Sequence, residues 1–165
     1  MNLPKNHESL FSILNLFVHT KTIILGIGNI LKGDDAFGPL VCERLRGERI
    51  CAEIIDAATV PENYIQTIIK KSPQNLIIID AIDFGAKPGS IQVFETEQLN
   101  SLVISTHTLS PRIFIDMIRQ NIELDVYIIG VQPKQTQLGL SLSKEVEQAI
   151  NDLTTILKEI FPPEK

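Results

Sequence analysis

Cysteine is scarce in this chain, basic residues never gather into a block, and no apolar run reaches membrane-spanning length. Each shortage removes a class of function. The two cysteines, Cys42 and Cys51, lack close metal-ligand spacing and read as small apolar fillers in a protein of the reducing cytoplasm. A net charge of −5 without a basic cluster offers a phosphate backbone nothing to grip, so nucleic acid is not an expected partner. The apolar stretch from Leu10 to Val18 is interrupted by Ser12 and Asn15, is preceded only by Lys5 as a cation, and is too short to span a bilayer. It reads as a helix with one apolar side, so no membrane insertion is expected. Internal repeats, low-complexity tracts and linkers are also missing. With 165 residues, 44% of them hydrophobic and 21% charged, the chain suits one globular domain over 21–165, preceded by an extension over 1–20 that is partly helical or disordered.

What is present alternates strand with helix, the pattern of a largely parallel α/β sheet covered on both faces. Strands are expected at Thr22 to Gly26, Ala52 to Ile55, Leu76 to Ile79, Ile91 to Phe94 and Asp125 to Gly130. Leu76 to Ile79 is the strongest, because four consecutive apolar residues suit a strand buried on both sides. Between them, Phe37, Leu40, Val41 and Leu45 form a helical stripe, and Tyr64, Ile65, Ile68 and Ile69 another. Thr59 and Glu62 have capping-box spacing around Pro61. Ser110 and Pro111 open a helix whose expected buried face is Ile113, Phe114, Met117 and Ile118. A last helix runs from Lys144 to Ile160 and is stopped by Pro162 and Pro163.

Acidic residues fall just past the carboxyl ends of the first three strands: Asp34 and Asp35, Asp56, then Asp80, with Asp83 three residues on. Open α/β sheets bind ligands in the crevice outside those strand ends. His107 precedes a helix and joins the same rim, whereas His7 and His19 do not. The loop Gly26-Ile27-Gly28-Asn29-Ile30-Leu31-Lys32-Gly33-Asp34-Asp35 resembles neither phosphate-binding pattern. A dinucleotide fingerprint needs a third glycine where Leu31 stands, and a Walker loop needs Lys-Ser or Lys-Thr where Asp34 and Asp35 stand. Two carboxylates at a helix start also occupy the place of a phosphate and repel it. The loop suits a cation or a proton-accepting group. Asp34 reads as orienting the loop, Asp35 and Asp80 as functional, and Asp83 as a turn residue. Carboxylate and imidazole suit nickel, zinc or iron and leave coordination positions open, while paired carboxylates can instead share a proton and activate water. There is no nucleophile elbow or Ser-His-Asp pattern, and neither cysteine lies near the cluster in sequence.

Gly26-Ile27-Gly28-Asn29, Gly33-Asp34-Asp35 with Gly38, Asp80-Ala81-Ile82-Asp83-Phe84-Gly85 and Thr106-His107 together resemble the hydrogenase maturation peptidases over about Lys21 to Ala149. Pro61-Glu62-Asn63 and Gly130-Val131-Gln132-Pro133 resemble the branch that serves hydrogenase-3 (formate hydrogenlyase) and archaeal membrane-bound hydrogenases. The resemblance implies a three-layer α/β/α fold around a mostly parallel sheet of about five strands. It implies an endopeptidase that removes the C-terminal extension of a nickel-iron hydrogenase large-subunit precursor once nickel is in place. The family's metal-contacting trio falls on Asp35, Asp80 and His107, with Asp35 and Asp80 catalytic; Gly28, Asn29, Asp34 and Asp56 are expected to support them. Nickel is expected to be carried by the precursor and to serve in recognition, and the enzyme is expected to act as a monomer. Many members have glycine where this chain has Ala36 and an Asp-Gly-Gly run where it has Asp56-Ala57-Ala58, which bears on loop geometry rather than on the ligand set.

Two rival readings belong to other classes. One is a non-catalytic nickel metallochaperone that binds the metal without proteolysis. The other is a nucleotide-binding Rossmann-type protein, against which the Asp34-Asp35 pair and the absent third glycine both speak.

Overall fold

The continuous apolar runs become the middle of a sheet. In this computed structural model, which describes residues 5–101, 103–104 and 110–163, the elements are α1 (Lys5–Leu14), β1 (Thr22–Ile27), α2 (Phe37–Arg46), β2 (Glu53–Ala58), α3 (Ile65–Lys71), β3 (Asn75–Asp83), β4 (Ile91–Glu95), β5 (Val103–Ile104), α4 (Pro111–Arg119), β6 (Asp125–Val131) and α5 (Lys144–Ile160). Short 3-10 turns lie at Asn15–Phe17, Gly33–Ala36, Pro61–Tyr64 and Thr96–Ser101. The main sheet has the order β2-β1-β3-β6-β4. β1 pairs in parallel with β2 and β3, and β3 in parallel with β6; β4 closes the edge antiparallel to β6. β5 pairs antiparallel with the far end of β3, at Ile82 and Asp83. β1 is buried along its whole length and β3 at all but its last residue, as central strands covered on both faces must be.

Strand alternation divides the core in two. Ile24, Ile77, Ile79 and Ile129 face one layer, against Phe37, Val41 and Leu45 of α2 and Val146, Ile150, Leu153 and Leu157 of α5. Ile23, Leu25, Leu76, Ile78 and Ile128 face the other, against Ile65 and Ile68 of α3 and Phe114, Ile115 and Ile118 of α4. The expected three-layer α/β/α arrangement is therefore the observed one. Each fully buried Leu or Ile contributes on the order of 1.5–3 kcal/mol, so both layers are held chiefly by these stripes. α1 belongs to the first layer: Leu10, Leu14 and Phe17 are buried in it, and the Phe17 ring lies 4.9 Å from that of Tyr127. No helix among the described residues is long and apolar enough to cross a membrane.

Three local expectations are corrected. The buried face of α4 is Phe114, Ile115 and Ile118, while Ile113 and Met117 are 51% and 42% exposed. With Pro111 as the first residue, 113 and 117 lie one step back around the helix from the face that meets α3. The Thr59–Glu62 capping box does not form. The chain enters a 3-10 turn through Val60, which carries no side-chain cap. β2 also runs to Ala58 rather than Ile55, with a register shift against β1 between Gly26 and Ile27. At that irregularity Ala58 takes φ 48, the left-handed region, and its N–H donates to Asp56 Oδ1 at 3.0 Å. Ala36, by contrast, keeps an ordinary helical backbone (φ −71, ψ −4). Of these two alanines, only Ala58 is strained.

The loop between β1 and α2 is fixed by a contact more than 100 residues away. Asp34 is fully buried, and its carboxylate accepts four hydrogen bonds: from Lys134 N at 2.8 Å, Gln135 N at 3.1 Å, Ser143 N at 2.7 Å and Ser143 Oγ at 2.9 Å. Ser143 also caps α5, its Oγ accepting from Val146 N. Backbone bonds from Gly33 N to Leu140 O and from Asp34 N to Gln135 O join the same two loops. Replacing Asp34 with alanine leaves several buried donors without an acceptor. Asp34→Ala is expected to cost at least about 3 kcal/mol in a denaturant titration; a loss below about 1 kcal/mol would refute the staple. Ala58 is exposed and its left-handed backbone costs about 1–2 kcal/mol, so Ala58→Gly is expected to stabilise the fold by about 0.5–1 kcal/mol in the same titration.

Candidate active site

With Asp34 turned inward, its neighbour is left facing the crevice. Asp35 is 5% exposed, and its Oδ2 accepts from Asn29 N at 3.0 Å, an N–H that also reaches the Asp35 carbonyl at 3.2 Å. Its other oxygen, Oδ1, is buried and has no hydrogen-bond partner among the described residues. A buried carboxylate oxygen left unpaired is costly, and it marks a place where a proton, a cation or a water belongs. Asn29 shapes the loop further by accepting from Leu31 N at 2.9 Å through Oδ1 and from Lys32 N at 3.1 Å through its carbonyl.

Gly28 explains why this loop carries no phosphate. It sits at φ 146, and a Cβ built there would lie 1.9 Å from the Asp35 carbonyl oxygen. The space beside the glycine that a pyrophosphate would need is filled by the chain's own backbone. Gly38 makes the second close approach, since a Cβ there would meet the carbonyls of Ile27 and Ile79 at 2.3 and 2.4 Å. The first turn of α2 is thereby pressed onto the ends of β1 and β3, one helical turn beyond Asp35.

Asp80 follows directly on that Ile79 carbonyl. It is 2% exposed, lies opposite Gly130 in the ladder, and its Oδ1 accepts from Ala81 N at 2.8 Å. Gly26 pairs with Ile79, so the loop bearing Asp35 leaves β1 beside the strand position of Asp80. The sheet thus brings these two carboxylates to neighbouring strand ends. Asp56 reaches the same end of the sheet on the opposite face. Its neighbours Ile55 and Ala57 belong to the α3/α4 layer, which turns Asp56 toward α2, whereas Asp80 alternates with Ile79 and Ala81 of the α2/α5 layer. There its carboxylate meets Arg46 at 3.9 Å and the Ala58 N–H, a structural commitment at the bulge. His107 lies outside the described residues. Among the described residues no three His, Cys, Asp or Glu side chains gather closely enough to hold a metal ion.

Ser143, which sequence reasoning did not single out, and Gln132, which it quoted only as part of a family motif, hold the rim in shape. Ser143 anchors Asp34. Gln132, 7% exposed, accepts from Phe84 N and Ala86 N through Oε1 and donates to Asp83 Oδ1 through Nε2, fixing the loop that follows β3. Asp83 also accepts from Gly85 N, as a turn residue does. The sequence signal for Gln132 is its place in Gly130-Val131-Gln132-Pro133, which marks the residue without indicating its bonds. Cys42 is fully buried, its Sγ 3.5 Å from the Ile55 carbonyl, and burial together with the nearby Asp56 charge pushes its thiol up to about 12. It is no nucleophile at neutral pH. A cleft of about 790 Å³ lies at the other end of the sheet, between Lys21, Thr22, Glu53 and Phe161, away from the acidic rim.

The comparisons agree with this geometry. The hydrogenase maturation protease (HycI) family model matches residues 39–160. The hydrogenase 3 maturation protease of Escherichia coli K12 is 29% identical over 133 residues, covering 78% of this chain and 83% of that protein. The crystal structure of a [NiFe] hydrogenase maturation protease HycI from Thermococcus kodakarensis KOD1 superposes with a TM-score of 0.82 at 32% identity, covering 90% of this chain and 97% of that one. The solution structure of the endopeptidase HycI from Escherichia coli gives 0.77 at 27% identity, over 84% of this chain and 90% of that one. A buried acidic rim at the carboxyl end of a three-layer sheet, a thiol held out of the chemistry and these likenesses converge: the chain is an endopeptidase and belongs to the hydrogenase maturation protease family.

Proposed function

We propose that this endopeptidase removes the C-terminal extension of a nickel-iron hydrogenase large-subunit precursor after nickel insertion, acting in the cytoplasm as a monomer. Nickel travels with the precursor and is met by Asp35, Asp80 and His107. The observation that carries this reading is the buried, unpartnered Oδ1 of Asp35. A carboxylate in that state gains most from a positive partner that arrives with the substrate. Oxygen and imidazole donors suit nickel, and a substrate-borne ion that docks here makes the reaction effectively intramolecular by placing the scissile peptide in the crevice.

The chain's own groups divide the work. Asn29 N–H holds Oδ2 of Asp35, and the buried Oδ1 is left unbonded among the described residues. Asp80 stands at the next strand end. Two routes to an activated water are compatible with this arrangement: Asp35 taking the proton as general base, or polarisation of the water by the docked ion. In either route the Asp35 charge is required at the moment of attack, and the new amino terminus leaves with a proton. The reading as a metal carrier without proteolysis loses ground to the family's activity.

Asn has nearly the shape of Asp, and its amide oxygen can still accept the Asn29 N–H. Asp35→Asn is therefore expected to leave the denaturation midpoint within about 0.5 kcal/mol of wild type while lowering cleavage of nickel-loaded precursor at least about a hundredfold. A gel-shift assay of precursor processing reads the second quantity. Cleavage at the wild-type rate by a folded Asp35→Asn protein would remove Asp35 from the chemistry.

A further inference from the structure

Large aliphatic side chains stand exposed beside the acidic rim, where folding has no use for them. Leu138 is 71% exposed, Ile30 66%, Leu31 62% and Leu140 43%. They come from two loops that are one unit: Gly139 N donates to Leu31 O at 2.8 Å, and Gly33 N donates to Leu140 O at 3.1 Å. Ile30 and Leu31 lie on the loop that ends at Asp35. The same unit is bolted down by the four hydrogen bonds to the Asp34 carboxylate. Because their backbone is fixed, these side chains cannot fold back to bury themselves, and the apolar surface stays open and ordered. Contiguous exposed apolar surface on a fixed frame is characteristic of a docking site, and pre-ordering lowers the entropic cost of binding.

We infer that Ile30, Leu31, Leu138 and Leu140 form a docking ledge for an apolar segment of the precursor that lies outside the scissile peptide. This rests on the reading of the site as an endopeptidase acting on a protein precursor. The occupant follows from continuity: Ile30 and Leu31 share the loop that ends at Asp35, so the ledge adjoins the site, and a protein precursor extends beyond its scissile bond. The ledge supplies affinity and register, and the carboxylates supply the chemistry. Asp34 thus holds both the turn that carries Asp35 and the loop that carries Leu138 and Leu140. Leu16, 69% exposed, stands apart from this unit, in the 3-10 turn before β1.

The test uses full-length enzyme and nickel-loaded precursor, comparing wild type, the double variant Leu31→Gln/Leu138→Gln, and Leu16→Gln as a control. The double variant is expected to raise KM about tenfold or more with kcat within twofold and an unchanged melting temperature. Leu16→Gln is expected to match wild type. An unchanged KM in the folded double variant overturns the ledge. Sedimentation of the enzyme alone provides the other arm: a wild-type dimer that the double variant dissolves, with KM unchanged, assigns the patch to self-association instead. Precursor binding in the Asp35→Asn background separates this proposal from the function it rests on. Binding that needs Leu31 and Leu138, in a protein that never cleaves the precursor even as wild type, keeps the ledge and removes the peptidase reading of the site; no binding and no cleavage removes both.

Discussion

A carboxylate buried without a cation beside it survives only if hydrogen-bond donors surround it, and Asp34 has four. Those donors are backbone and hydroxyl groups of a loop that begins after β6 and ends at the cap of α5. Their convergence fixes the 3-10 turn at Gly33–Ala36 in position and in rotation. Turning one aspartate of an adjacent pair inward sends the other toward the crevice. The exposed aliphatics of both loops are held on the same frame. Site geometry and docking surface therefore depend on one interaction that takes no part in chemistry.

The sheet supplies the second constraint. Parallel strands β1, β3 and β6 deliver their carboxyl ends to one edge, and α2 starts directly above them because Gly38 lets its first turn rest on the carbonyls of Ile27 and Ile79. Any side chain at position 38 would lift the turn and carry Asp35 away from Asp80. Strand alternation then puts Asp56 and Asp80 on opposite faces of the sheet. Asp56 ends its strand at the same edge, yet its side chain faces α2 and is engaged by Arg46 and the bulge at Ala58.

Much of the fold was legible because the dominant signals were local. The four apolar residues of β3 and the stripe of α5 leave little choice of structure, and Lys144 to Ile160 is helical end to end as the periodicity implies. The inner face of α4 was read one step off, because Ile113 and Met117 are as apolar as the residues that are buried and only contact with α3 distinguishes them. At the site, the loop glycines and the acid pair pointed to a cation rather than a phosphate, in keeping with the Asp35 carbonyl that fills the space at Gly28. The partners of Asp34 lie about a hundred positions away and are mostly backbone amides, which have no sequence signature. Gln132 stands in a recognisable motif, but its task was illegible for a similar reason: it bonds amides of a loop nearly fifty residues earlier. Asp56 looked equivalent to Asp80 in linear spacing, and only strand parity separates them.

At the centre stands Asp35 Oδ1, a buried oxygen without a hydrogen-bond partner among the described residues, to which the proposal assigns a group brought by the substrate. Anomalous scattering at the nickel edge, from crystals of the enzyme bound to nickel-loaded precursor, locates that group directly. The expected result is a nickel peak at about 2 Å from Asp35 Oδ1, at the strand end shared with Asp80. A nickel peak remote from Asp35, with Oδ1 satisfied by a donor from the protein itself, would contradict it.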